Sequence, residues 1–85
     1  MEELIKILQE YQLDALRYGA ACTLNTNYVD TTMTEVTVQV FYSEVVGTDF
    51  VDHRDFRATF SSTDEKESKD AKLKALNKFI YSISK

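Results

Sequence analysis

Asp49, Asp52, His53 and Asp55 put three carboxylates and the chain's single imidazole inside seven residues. Oxygen ligands beside an imidazole suit a divalent cation. In an extended segment, however, His53 and Asp55 point to one side and Asp52 to the other. Two convergent ligands fall short of the three that a catalytic zinc takes. Arg54 and Arg57 stand among these acids, so the segment reads as a ladder of surface ion pairs, with no metal expected. Cys22 is the only thiol. It alternates with small and apolar neighbours, Ala20 and Leu24, which predicts a buried structural thiol rather than a nucleophile. A catalytic cysteine needs a base, and His53 is placed on a wet face elsewhere. Serine-histidine-aspartate chemistry lacks a nucleophile turn and a glycine-rich oxyanion loop. No phosphate-binding glycine motif and no zinc-ligand spacing is present. The reading is of a non-enzyme without a cofactor.

Lys66, Lys69, Lys72 and Lys74 form a second set, suited to phosphates. Duplex affinity comes mainly from phosphates neutralised by such cations. From Asp64 to Lys85 there are four acids and six lysines, a net of +2; from Gly19 to Thr63 there are six acids and two arginines, a net of −4. Acids are interleaved at the end that would meet phosphates. The first reading is therefore a solvated helix face with i,i+4 pairs such as Glu65–Lys69 and Asp70–Lys74. Duplex RNA contact is the alternative.

The elements that must position these groups come from one domain, residues 1–85. Hydrophobic residues make up 44% of the 85 and charged residues 28%, with a net charge of −4. That balance excludes disorder. Two glycines and no proline exclude collagen-like and linker character. No apolar run approaches the roughly 18 residues of a membrane span, and Glu2, Glu3 and Lys6 interrupt the N-terminal apolar pattern where a secretion signal would not. The expectation is an intracellular, cytoplasmic protein with no membrane contact. A chain this short buries only about 60% of its extended surface, which makes a homodimer a standing candidate.

Leu4, Ile7, Leu8, Tyr11 and Ala15 recur at helical spacing, widened by Ile5 and Leu16, and predict a helix from residue 2 to about 16. Gly19 is its stop signal. Ala20, Cys22 and Leu24 predict the inward side of a strand, with a turn, bulge or strand edge at Asn25-Thr26-Asn27. Thr32 to Tyr42 alternates strictly: Val36, Val38, Val40 and Tyr42 on one face, Glu35, Thr37, Gln39 and Phe41 on the other. Ser43 to Asp49 reads as a loop. Phe50 to Phe60 is a third strand, with Phe56, Ala58 and Phe60 opposite His53, Asp55, Arg57 and Thr59. Ser62-Thr63-Asp64-Glu65 fits a capping box before a helix that runs to about Ser82. Its stripe is Ala71, Leu76, Phe79, Ile80 and Ile83, flanked by Leu73 and Ala75. The fold class is α+β: an α-β-β-β-α two-layer sandwich, a three-stranded antiparallel sheet with both helices on one face.

This order resembles the double-stranded-RNA-binding domain over nearly the whole chain. That family opens its second helix with Ser-Lys-Lys-x-Ala-Lys, and the matching stretch is Glu67-Ser68-Lys69-Asp70-Ala71-Lys72. Lys69, Ala71 and Lys72 match; Ser68 stands in place of the first lysine. Acidic Ser61–Glu65 replaces the family's glycine-rich approach, and its Pro-His loop has no counterpart. The resemblance implies phosphate contacts by Lys69 and Lys72, and a minor-groove contact by Glu3 or Glu10.

The uncovered sheet face supplies the leading functional expectation. An exposed aromatic, Phe41, sits among Glu35, Thr37, Gln39, His53, Asp55, Arg57 and Thr59. Val45, Val46 and Phe50 extend the patch. The face is read as acidic around a central aromatic, the docking surface of a protein-binding module. Its partner would be another protein, one with a basic nucleic-acid-binding surface. Size and charge liken the chain to phage or mobile-element accessory proteins that inhibit a host nucleic-acid-processing system. Two other readings stand beside it: weak duplex-RNA binding, and pairing of Ala20–Leu24 across a two-fold axis.

Overall fold

The computed structural model describes residues 1–48 and 51–84. Helix α1 spans Glu2–Arg17, strands β1, β2 and β3 span Ala21–Tyr28, Thr34–Val45 and Val51–Ser61, and helix α2 spans Lys66–Ile83. The strands form one antiparallel sheet in the order β1-β2-β3. Both helices lie on one face of it. Leu4, Leu8 and Ala15 of α1 share a single core with Val36, Val38, Val40 and Phe60, and with Leu76, Ile80 and Ile83 of α2. The α-β-β-β-α order and the α+β class stand as the alternation required.

Local chemistry explains where each element stops. α1 ends in a Schellman turn: Ala20 N–H donates to the Ala15 carbonyl and Gly19 N–H to that of Leu16. Gly19 takes φ +84°, a left-handed conformation that suits glycine. The β1–β2 turn is closed by Asp30, whose Oδ1 accepts from Thr32 N–H, Thr32 Oγ1 and Met33 N–H. These bonds, the Thr32 hydroxyl first, hold the Asp30 carboxyl below its ordinary range. Of the turn, bulge or strand edge expected at Asn25–Asn27, the strand edge is what forms: those asparagines lie inside β1, an edge strand, and the turn comes a few residues later.

Three further expectations are corrected. No capping box forms. Glu65 occupies the N-cap of α2 without a side-chain cap, while Ser62 Oγ accepts from Thr34 N–H at 3.0 Å. The Asp64 carboxylate folds back onto Ser61 N–H instead. The helical stripes are also narrower than the periodicity suggests. Ile7 and Leu16 of α1, and Ala71 and Ala75 of α2, are exposed, because a helix lying on a sheet buries only one side. Finally, β2 does not stop at Tyr42. It continues to Val45, which pairs with Val51, so the predicted loop is shortened.

That extension shapes the molecule. β1 accompanies β2 only as far as Phe41, which faces Ala21. Beyond it, Tyr42–Val45 and Val51–Arg54 continue as a two-stranded arm. The longest dimension is 51 Å against 21 and 18 Å. Both helices start at the opposite end, where Met1–Leu4 and Lys69 line one cleft with Ser61, Ser62 and Asp64. They run in the same direction toward the arm. α1 crosses obliquely, from the end of β3 to Gln12, whose Nε2 donates to the Cys22 carbonyl at 2.9 Å. The far half of β1 is left uncovered, with Tyr28 78% exposed.

Candidate functional site

Strand parity sorts the side chains of the sheet into a roofed face and a bare one. The register gives the bare face its rows: Asn27, Glu35 and Ser61; Asn25, Thr37 and Thr59; Thr23, Gln39 and Arg57; Ala21, Phe41 and Asp55. On the arm Ser43 faces His53 and Val45 faces Val51. Glu35, Thr37, Gln39, Phe41, His53, Asp55, Arg57 and Thr59 all lie on it. Phe41, His53, Asp55 and Arg57 are exposed, while Glu35, Thr37, Gln39 and Thr59 are half-buried by their cross-strand neighbours. Thr37 and Thr59 Oγ1 atoms meet at 3.0 Å, and Ser43 Oγ lies 2.8 Å from His53 Nδ1. Thr23, Asn25, Asn27, Ser43 and Val51 join the face from outside the expected set; only the strand register places them.

The face is nearly neutral rather than acidic as expected. Glu35 and Asp55 oppose Arg57, and the remaining polar groups are hydroxyls, amides and one imidazole. The overall acidity of the chain is not concentrated here. At its centre Phe41 is 47% exposed, and exposed Val45, Val46 and Val51 continue the apolar surface along the arm. Asp49 and Phe50, candidates for the metal cluster and the patch, lie outside the described residues.

The remaining candidates are held apart by the fold. Asp52 turns to the roofed side and pairs with Arg54 at 3.4 Å, away from His53 and Asp55. Among the described residues no three metal-ligating side chains converge. Cys22 is buried in the core, and burial raises its thiol pKa, which opposes the thiolate a nucleophile needs.

The lysines of α2 do not act as one set. Lys72 Nζ donates to the Thr59 carbonyl at 2.7 Å and to Asp64 Oδ2 at 2.9 Å, and stands 5.8 Å from the Phe60 ring centroid. Its charge is spent on the fold. Lys69 is half-buried and lines a 420 Å³ cleft with Glu2, Glu3 and Asp64, an acidic setting for a phosphate. Lys66 and Lys74 are exposed. Neither Glu65–Lys69 nor Asp70–Lys74 closes to an ion pair; among the described residues the ion pairs are Asp14–Arg17, Asp52–Arg54 and Asp64–Lys72. Of the two candidate groove-contacting glutamates, Glu3 borders the cleft and Glu10 is exposed on α1.

No protein-family model matches this chain, and neither a curated protein nor a solved structure does. No helix among the described residues is long and apolar enough to cross a membrane. What the fold defines is a small α+β sandwich with one bare, nearly uncharged sheet face extended by an arm.

Proposed function

We infer that this chain is a non-enzymatic module that binds another protein through the bare face and the arm. The observation carrying the reading is Phe41. It is a large half-exposed aromatic in a field of small polar side chains, continuous with the exposed valines of the arm. Interface cores are depleted in charge and enriched in aromatics, and affinity concentrates in a few such anchors. Size and net acidity accord with an accessory or inhibitory protein of a phage or mobile element that engages a host nucleic-acid-processing protein. The near-neutral face means that apolar contact, rather than attraction to a basic partner surface, supplies most of the affinity.

The test compares captured partners across variants. A polypeptide retained from native lysate by the wild type should be lost with Phe41→Asp and kept with Tyr81→Asp, which places the same charge on the exposed helical layer, where Tyr81 is 79% exposed. Phe41→Asp should leave the melting temperature within a few degrees of wild type. Capture unaffected by Phe41→Asp, or lost equally with Tyr81→Asp, refutes the reading.

Duplex RNA gives a second prediction. With Lys72 tied to Thr59 and Asp64, and Lys69 beside Glu2, Glu3 and Asp64, only Lys66 and Lys74 of the four expected phosphate contacts remain for a salt-sensitive complex. Titration of a duplex of about 20 base pairs should show no binding at low salt. Binding that a Lys66→Glu, Lys74→Glu variant abolishes would restore the RNA alternative.

A further inference from the structure

The two edges of the sheet are treated differently. The turn bond from Val29 N–H to the Met33 carbonyl sets the phase of the β1–β2 ladder. By alternation, Asn27, Asn25, Thr23 and Ala21 bond to β2, while the backbone groups of Cys22, Leu24, Thr26 and Tyr28 point away from it. The same phase turns Thr59 and Ser61 of β3 outward, where Lys72 and Asp64 engage them. β3 is thus capped at that end, and its edge carries Asp52, His53, Arg54, Asp55 and Arg57. Charge on an edge is a known guard against strand addition.

β1 has no such guard beyond its first turn. Gln12 takes the Cys22 carbonyl, but the outward groups of Leu24, Thr26 and Tyr28 have no partner among the described residues. From Tyr18 to Val29 the sequence holds no charged residue and no proline. The pairing with β2 runs one to one, without a bulge. The oblique path of α1 leaves Thr26 and Tyr28 exposed on the roofed side as well. The free stretch is thus Leu24–Tyr28, not Ala20–Leu24, where Gln12 is in place.

We propose that β1 pairs antiparallel with β1 of a second copy, centred on Thr26 and joining two three-stranded sheets into one. The occupant follows from self-complementarity. About a two-fold axis normal to the sheet, Thr26 faces the second copy's Thr26, and Leu24 faces its Tyr28. Each such pair exchanges both N–H···O bonds. Leu24 is half-buried and packs against the core, and Tyr28 is 78% exposed. The pairing sets each exposed ring against a leucine, a favourable cross-strand combination. On the bare side Asn25 faces the second copy's Asn27, so no like charges meet. The bare faces of both copies then form one continuous surface.

Light scattering or sedimentation of the intact chain, up to about 1 mM, should read a dimer. Thr26→Pro removes one outward N–H from each copy without touching the bonds to β2. It should weaken association about a hundredfold, two hydrogen bonds at roughly tenfold each. Thr26→Lys, which keeps the N–H but opposes two ammonium groups, should also shift the chain toward monomer with an unchanged far-ultraviolet spectrum. Mild oxidation of Thr26→Cys should cross-link the copies at that residue. A monomer throughout the concentration range overturns the proposal. So does a dimer indifferent to both Thr26→Pro and Thr26→Lys, or one that Thr26→Cys fails to cross-link.

Discussion

Phe60→Ala is expected to cost about 3–5 kcal/mol, the range for truncating a fully buried aromatic. Phe60 is inaccessible to solvent and pairs with Val36 at the centre of the core. It is the largest fully buried side chain among the described residues. Small proteins are stable by only about 5–15 kcal/mol in all, so this variant would hold a measurable unfolded fraction without denaturant. Two other phenylalanines provide an internal scale. Phe56 is half-buried with its ring 5.6 Å from that of Phe79; its alanine variant should cost less than that of Phe60. Phe41 is 47% exposed on the bare side, and Phe41→Ala should stay within about 0.5 kcal/mol of wild type. Urea unfolding with a common slope would measure all three. A Phe41→Ala cost equal to that of Phe60→Ala would mean that the bare face is covered in solution, and the binding surface would lose its basis.

Period-two alternation alone separates Phe41 from Phe56 and Phe60, so much of the fold and of the bare face could be read from Val36, Val38 and Val40 against Glu35, Thr37 and Gln39. Parity fixes which side chains share a face whatever the rest of the chain does. It does not fix where a strand ends. Ser43–Val45 read as loop because Ser43 and Val45 stay exposed beyond the core, and without burial there is no strong hydrophobic pattern to extend. The Ser43–His53 contact and the Val45–Val51 pair needed the hairpin register as well. β1 was ambiguous for a related reason. Asn25, Thr26 and Asn27 favour turns locally, and only the ladder to β2, together with the Asp30 turn, holds them extended. The capping box failed on tertiary grounds: Ser62 and Asp64 have better partners in β2, β3 and α2 than in the first turn of the helix.

Lys72 is the residue whose role lay farthest from its local pattern. It sits on an amphipathic helix among other lysines, yet its partners are 13 and 8 residues away. Lys72→Met, which keeps the aliphatic stem over Phe60, should cost about 1–2 kcal/mol. Hydrogen bonds to charged groups are worth somewhat more than this, but the Lys72 and Asp64 side chains retain 33% and 18% of their exposure, and solvent screens the pair. A pH signature separates this from a loss of packing. The Ser61 N–H first, and then Lys72, hold the Asp64 carboxyl below the ordinary range, which is about 3.9 when unfolded. As pH falls, the unfolded chain therefore takes up the proton before the folded one does. The contribution of Asp64 is fully present above the unfolded value and is lost as pH drops through the lower, folded value. The stability gap between wild type and Asp64→Asn should be constant near neutrality and close below about pH 4. In Lys72→Met the folded carboxyl rises toward its ordinary value, so the gap is smaller and, closing from the same unfolded value, is fully closed at a higher pH. Denaturation curves from pH 7 to pH 2 would read both effects. A gap independent of pH would show that the Asp64 charge contributes nothing and that Lys72 matters only for the Thr59 carbonyl it caps.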